Sequence, residues 1–575
     1  MKKDLRNLIF MYLGFVLVKA ILSYFIPSSR ALADDYNYLK MSESFFYHFS
    51  LKVHGTFTGQ FYPLYPIMIS VSHIFNDNNL VYFAIKFINS ILSSLIIFPA
   101  YYLSKEFLSE KKALLSSAII SLLPANFALT AYIMAENLFY SLFLISIYYI
   151  YKLFKDKNLK YYFLAGLFTV LTLSTRIHGL ILIALIYILI ITEKINKKID
   201  KRYFWLLILI IPFIIWFYYF KDLVLNLYIL KYLSLIKVKF LLAFFIKYIS
   251  YFGFLLLGSG LILMLPLLMS FKIKNSNLKL FRKISLITIL ISLFLATIHA
   301  LGSIRYFYSI GNLTLVSGRV IGRYIDFVLP LIVILSFIGL DYYFNNKNRV
   351  SNALLKKFTI ILFLIMLFTT SIIFSSLVPL NNISLTTFGA LKYLIDIIFY
   401  NKASFEFGTT LISFLILSLL FILIPLVNYY LLKKLNYRRF ISLLLIFVTI
   451  SSFISLAAVY YAAKTSWYYN SEQRQLALYL NNIDKKRSIV LVDERDGGDL
   501  VSVQNDPNPG RNEKALYGGT EKSKYTIIGY WLNDELIIGD INDTKADYII
   551  STYNLNLKKL YQTSNGIYLY KNESK

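Results

Sequence analysis

Two adjacent carboxylates, Asp34 and Asp35, stand directly after the first apolar run of the chain. Like charges held side by side repel, so such a pair beside a membrane tends to have a use. One of them could act as a general base, taking a proton from an acceptor hydroxyl as its oxygen attacks carbon. The competing reading is local, because Asp ahead of a helical stretch is a favoured N-cap. Glu43, His48 and His54 share the segment. Hard oxygen ligands with one or two imidazoles, drawn from Asp35, Glu43 and His54, would suit a divalent cation. No spacing there fits a metal motif, and satisfied surface histidines are the alternative. The chain has no cysteine, which excludes disulfides, thiolate metal sites and thiol nucleophiles.

Downstream, Gly59 to Ile69 is rich in proline and aromatics, and each proline removes a donor and restricts the residue before it. This stretch predicts a shaped loop at the membrane surface, with Tyr62 among the candidate substrate contacts. A second irregularity falls at Ser174 to Gly179, between two short apolar runs. Polar residues at such a join are tolerated where protein or a water-filled cavity covers the backbone, so Arg176 is expected to face a cavity, with His178 as its polar partner.

The elements that must position these groups are membrane spans. Of the 575 residues, 58% are hydrophobic and 16% charged, against about 25% charged in an ordinary soluble domain. Apolar runs long enough to cross a bilayer recur through the first four fifths, giving about thirteen spans, roughly 8–26, 80–103, 113–131, 134–151, 161–174, 177–192, 203–220, 250–270, 284–303, 327–344, 357–377, 408–431 and 440–462. The opening segment has a basic start and no small-residue cleavage motif, which reads as a retained span.

A net charge of +28 would point to nucleic acid in a soluble protein. From Lys464 onward, however, fifteen Lys and Arg face fifteen Asp and Glu, so the whole excess lies among the spans. It sits in short loops, as the positive-inside rule expects of cytoplasmic ones, and nucleic acid is an unnecessary partner. With the N-terminus cytoplasmic, 27–79, 221–249, 304–326, 378–407 and the tail fall outside, as do the sequons at Asn312, Asn382, Asn542 and Asn572. The division expected is a transmembrane domain over 1–463 and a soluble α/β domain over 464–575. That tail alternates a helical segment, Ser471 to Asn481, with β-branched runs at 489–492, 525–528, 547–550 and 567–570.

Taken together, the acidic pair with Tyr36, the segment Tyr62 to Pro66, Ala131 to Tyr140, Thr175 to Leu180, Ser317 to Pro330 and the outside α/β tail resemble the GT-C superfamily. Its members are multi-span glycosyltransferases that use dolichyl- or undecaprenyl-linked sugars, among them protein O-mannosyltransferases, aminoarabinose lipid A transferases and oligosaccharyltransferases. The resemblance implies an α-helical polytopic membrane fold and transfer of a sugar from a polyprenyl-phosphate carrier to an extracytoplasmic acceptor. It makes Asp34 the catalytic carboxylate with Asp35 beside it. Glu136 matches the acid that opens the fourth span, and Gly322, Arg323 and Tyr324 match an element that precedes a span and ends at Pro330.

Two departures narrow this. Many members carry Lys-Pro-Pro-Leu, whose Lys meets the carrier phosphate, where this chain has Phe61-Tyr62-Pro63-Leu64. The phosphate then falls to Arg176, Arg305, Arg319 and Arg323, since a guanidinium fork suits phosphate. For Arg305 and Arg319, snorkelling at a helix end is the alternative. The tail also lacks the Trp-Trp-Asp-Tyr-Gly element of oligosaccharyltransferases and offers only Ser466 to Asn470, which argues against transfer of a whole oligosaccharide to asparagine. A transporter or polymerase of lipid-linked sugars is the alternative function. Transporters usually show repeats and midplane charges, whereas here the ionisable groups gather at one face.

Overall fold

The computed structural model describes residues 3–27, 33–54, 62–194, 238–259, 262–301, 307–310, 313–316, 321–347, 350–373, 394–395, 397–398, 411–465, 471–484, 486–493, 528–541, 546–564 and 566–572. The chain divides into two compact units. One comprises Met1–Ser23, Asn89–Thr130 and Ala135–Val459, and the other Tyr24–Ile88, Ala131–Met134 and Tyr460–Lys575. The tail therefore belongs to one compact unit with the first loop.

The first unit is built of apolar helices. Among the described residues, six helices over the whole chain are long and apolar enough to cross a bilayer, or seven if one bent pair counts as a span. The expected span 203–220 lies outside the described residues. That bent pair, Glu110–Leu122 and Pro124–Ala131, turns by 69°. Its cause is local: proline disfavours a helical conformation in its predecessor, and Leu123 is extended, with ψ 136°. After the bend the helix Glu136–Asp156 begins, with Glu136 in its first turn. A carboxylate there faces the positive end of the helix dipole.

Charged side chains tie the expected inside loops together at one end of this bundle. Lys105 bonds both Asp4 and Glu110, Lys152 and Lys155 share Glu106, Lys157 pairs with Glu193, and Lys112 pairs with Asp341. Lys155 and Glu136 lie near opposite ends of one helix about 30 Å long. The acid is thus remote from the basic loops.

The join expected at 174–179 is a break between the helices Leu159–Leu173 and Leu180–Lys194. Ser174 and Thr175 hydroxyls donate back to the carbonyls of Val170 and Leu171, competing with helix continuation. Arg176 is then extended, at φ −159° and ψ 149°. Gly179 permits the tight return, since a Cβ there would stand 2.6 Å from the Cα of Leu173. Gly179→Ala is expected to destabilise the protein by about 1–3 kcal/mol, seen as a lower melting temperature in detergent; an unchanged melt would show that the join relaxes freely.

In the second unit, residues near the chain start share a core with the tail. The helix Ala33–His48 packs on Leu64–Ser70. A five-stranded sheet runs β4-β3-β5-β7-β6, with β3 (Ile489–Asp493), β4 (Glu535–Gly539), β5 (Tyr548–Ser551), β6 (Lys558–Gln562) and β7 (Tyr568–Lys571). β3 is parallel to β4 and β5, with Leu491 opposite Ile537 and Ile549, and β7 pairs antiparallel with β5 and β6. The hairpin β1 (Phe307–Ile310) and β2 (Leu313–Val316) belongs to the first unit. The strand expected at 525–528 is corrected at its end, where Ile528 opens a helical turn, while 525–527 lie outside the described residues. Neither β4 nor β6 was expected.

Candidate active site

In the helical unit three of the singled-out residues converge. Glu136 is buried at the start of its helix, and Arg176 reaches its Oε1 through Nη1 from the broken join. Arg323 comes from the turn Gly322–Tyr324, its Nε 3.8 Å from the same oxygen. That turn is held close to its neighbours, because a Cβ at Gly322 would collide with the ring of Phe254 and meet Asp326 Oδ2 at 3.1 Å. Three separate stretches, around 136, 176 and 323, thus bring two guanidiniums to one carboxylate.

Tyr324 organises the surroundings. The guanidinium carbons of Arg176 and Arg323 lie 6.0 Å and 5.5 Å from its ring centroid, within cation–π range. His178 stacks on the ring at 5.4 Å and His299 meets it edge-on at 4.4 Å. Beneath, Phe327 packs on Phe139 and Phe143, an apolar floor that limits water and strengthens charge interactions. His178 thus partners an aromatic ring beside the arginines. His299 and the buried Asp326 carried no sequence signal of their own: the first sits alone at the end of an apolar run, the second inside a motif read for its arginine and tyrosine. Arg305 and Arg319 lie outside the described residues.

In the second unit, Asp34 and Asp35 occupy the first turn of the helix Ala33–His48, where the dipole favours negative charge. Asp34 is half-buried and Asp35 fully buried. Tyr62 is buried as well. The weak cation candidates have other commitments. Glu43 accepts from Lys40 at 2.7 Å and from Arg487 at 2.6 Å, and Arg487 lies over the ring of Tyr47. Burial pushes the Glu43 carboxyl up, but Lys40 and Arg487 outweigh it and hold it below its usual range. His54 Nδ1 faces the Leu536 carbonyl at 2.6 Å, so it carries the proton and donates, leaving Nε2 to accept from the Tyr36 hydroxyl at 2.8 Å. Among the described residues, no group of three or more His, Asp or Glu side chains gathers as a cation site.

Burial pushes both His54 and His73 down to about 4. His73 donates to Ser42, at 2.9 Å, and the charged groups around it are Glu43, Lys40 and Arg487. An unfolded histidine titrates near 6.5, so the unfolded chain takes up the proton first on acidification. The stability these neutral rings contribute is complete above about pH 6.5 and falls as pH drops toward about 4. For His73 alone the loss reaches about 3 kcal/mol. Melting temperatures measured from pH 7 to 4.5 should fall with a slope that His73→Gln reduces; equal slopes would refute the assignment.

Residues 62–220 match the family described as dolichyl-phosphate-mannose-protein mannosyltransferase, a stretch containing Tyr62, Glu136 and Arg176. In fold, the chain is similar to ArnT from Cupriavidus metallidurans bound to undecaprenyl phosphate, with TM-score 0.53 and 11% identity over 99% of this chain and 98% of that one. The apo state of the same ArnT gives TM-score 0.53 and 12% identity over 98% of each chain. The arabinosyltransferase EmbB from Mycobacterium smegmatis aligns at TM-score 0.39 and 14% identity, over 78% of this chain and 40% of that one. No curated protein sequence matches the chain. Residues 62–220 thus carry the signature of that family, and the fold along the whole chain is similar to that of ArnT.

Proposed function

We propose that this protein transfers a sugar from a polyprenyl phosphate, dolichyl or undecaprenyl, to an acceptor outside the cytoplasm. The observation that carries the reading is the meeting of Arg176 and Arg323 at Glu136, in an apolar setting, with Tyr324 against both guanidiniums. Arginine forks suit phosphate. The ArnT of similar fold is described as bound to undecaprenyl phosphate.

In this reading Asp34 removes the acceptor's proton, the acceptor oxygen forms a bond to the sugar's anomeric carbon, and the carbon–oxygen bond to phosphate breaks. The carrier phosphate departs with the electron pair, toward the two arginines. A phosphate is already a competent leaving group, so the chain's work is orientation, deprotonation and charge stabilisation. Asp35 and Tyr62 shape the acceptor side.

The N-terminus is assigned to the cytoplasm and the chemistry to the outer face. Basic loops gathered at one end of the bundle, with Glu136 toward the other, support that orientation. Purified protein incubated with labelled polyprenyl-phosphate sugars should release carrier phosphate. Movement of intact lipid-linked sugar across a vesicle membrane with no release would instead identify a transporter.

A further inference from the structure

The helix that carries Asp34 is bound to the tail along one face. Within Ala33–His48, the residues Tyr36, Lys40, Glu43 and Tyr47 recur at the spacing of a single helix face. Tyr36 lies against Gly529, where a Cβ would stand 2.4 Å from its hydroxyl. The same hydroxyl bonds His54 Nε2 at 2.8 Å, and the other ring nitrogen donates to the Leu536 carbonyl on β4. Further along the helix, Glu43 accepts from Arg487, which lies over the Tyr47 ring. Asp34 comes two residues before Tyr36, roughly 160° round the helix and so on the opposite side.

We infer that the tail sets the place of the proposed base: its grip on Tyr36 fixes the rotation and height of the first helical turn, and with them the position of the Asp34 Cα. Tyr36 is thereby a positioning residue for sugar transfer. This rests on the proposed role of Asp34 as base. A base must stand within hydrogen-bond reach of the proton it takes, and a displacement of about 1 Å can cost about a hundredfold in rate. Helix ends fray, and Tyr36 is the nearest of the four face residues to Asp34, whereas Glu43 stands about 13 Å further along the axis. Contacts of the Asp34 side chain set its rotamer; the helix sets where that rotamer starts. Tyr36 is buried and its hydroxyl is committed to His54, so its route to the reaction runs through the helix. His54 itself stands at φ 49°, a left-handed backbone that is costly for residues other than glycine and persists where the surroundings hold it. Its ring is held at both nitrogens.

Turnover of the purified full chain, followed as release of carrier phosphate from labelled polyprenyl-phosphate sugars, tests this in a double-mutant cycle. Tyr36→Phe removes one hydroxyl and should lower kcat about tenfold, with the donor KM within about threefold of wild type. In an Asp34→Asn background the same change should cost less than about twofold, since no base is left to misplace. Gly529→Ala drives a methyl into the Tyr36 hydroxyl and should lower kcat at least about tenfold. Adding Tyr36→Phe clears that collision and should bring turnover back to the level of Tyr36→Phe alone. If Tyr36→Phe lowers the melting temperature but leaves kcat per folded molecule unchanged, Tyr36 is structural only and the inference is overturned. Equal losses from Tyr36→Phe in the wild-type and Asp34→Asn backgrounds overturn it as well, while leaving Asp34 as the base. Undiminished turnover in Asp34→Asn removes the base, and the inference with it. Should Tyr36→Phe fail to fold, Gly529→Ala with and without Asp34→Asn completes the same cycle and is read in the same way.

Discussion

Asp34→Asn is expected to lower sugar transfer by about three orders of magnitude while leaving carrier binding and the melting temperature close to wild type. A general base contributes roughly 10²- to 10⁴-fold, and the amide cannot take the acceptor's proton. The substitution is otherwise mild. Asp34 is half-buried in the first turn of a helix, where the loss of one favourable charge–dipole contact costs about 0.5 kcal/mol. Asp35→Asn acts differently, because Asp35 is fully buried and its replacement alters the interior of the second unit. A drop in melting temperature accompanying lost activity is expected for Asp35 and not for Asp34. Turnover retained in Asp34→Asn, measured as release of carrier phosphate, would sink its assignment as the base.

The helical, polytopic class was legible because lipid imposes a simple rule: every buried backbone group must be bonded within a helix, so long apolar runs show directly in the sequence. The break at 174–179 was legible for a related reason, since Ser174, Thr175 and Gly179 are residues that end helices. The site was only partly legible. Arg176 and Arg323 could be picked out as charges among apolar residues, but their meeting at Glu136 joins positions far apart in sequence, and no local pattern encodes that. The contacts of the net-neutral tail, which reads as a small α/β domain, were not legible either. Its Arg487 bonds Glu43 and its Leu536 carbonyl accepts from His54, contacts made by single side chains without a periodic signature. β4 escaped notice because it opens on Glu535 and closes on Gly539, which leaves only Leu536, Ile537 and Ile538 as an apolar run.

The two arginines should separate in their effects, although sequence alone gives them the same role. Arg176 makes the direct ion pair with Glu136, so Arg176→Ala leaves a buried carboxylate without its main counter-charge; losses of about 3 kcal/mol follow from such breaks. Arg323 approaches the same oxygen only to 3.8 Å and stands on a short turn beside Tyr324, so its loss disturbs the resting charge balance less. It should instead be felt when a phosphate arrives. Arg323→Ala is expected to weaken undecaprenyl phosphate binding about a hundredfold with a modest change in melting temperature, and Arg323→Lys to recover part of the affinity, since an ammonium keeps the charge but loses the planar fork. Arg176→Ala should show the larger fall in melting temperature of the two. Melting curves and binding isotherms on the three variants test this, and the reverse ranking, with Arg323 controlling stability and Arg176 controlling affinity, would exchange their roles. Equal effects would mean that both guanidiniums act as one unit around Glu136, with phosphate affinity following the net charge of the trio and not the position of either arginine.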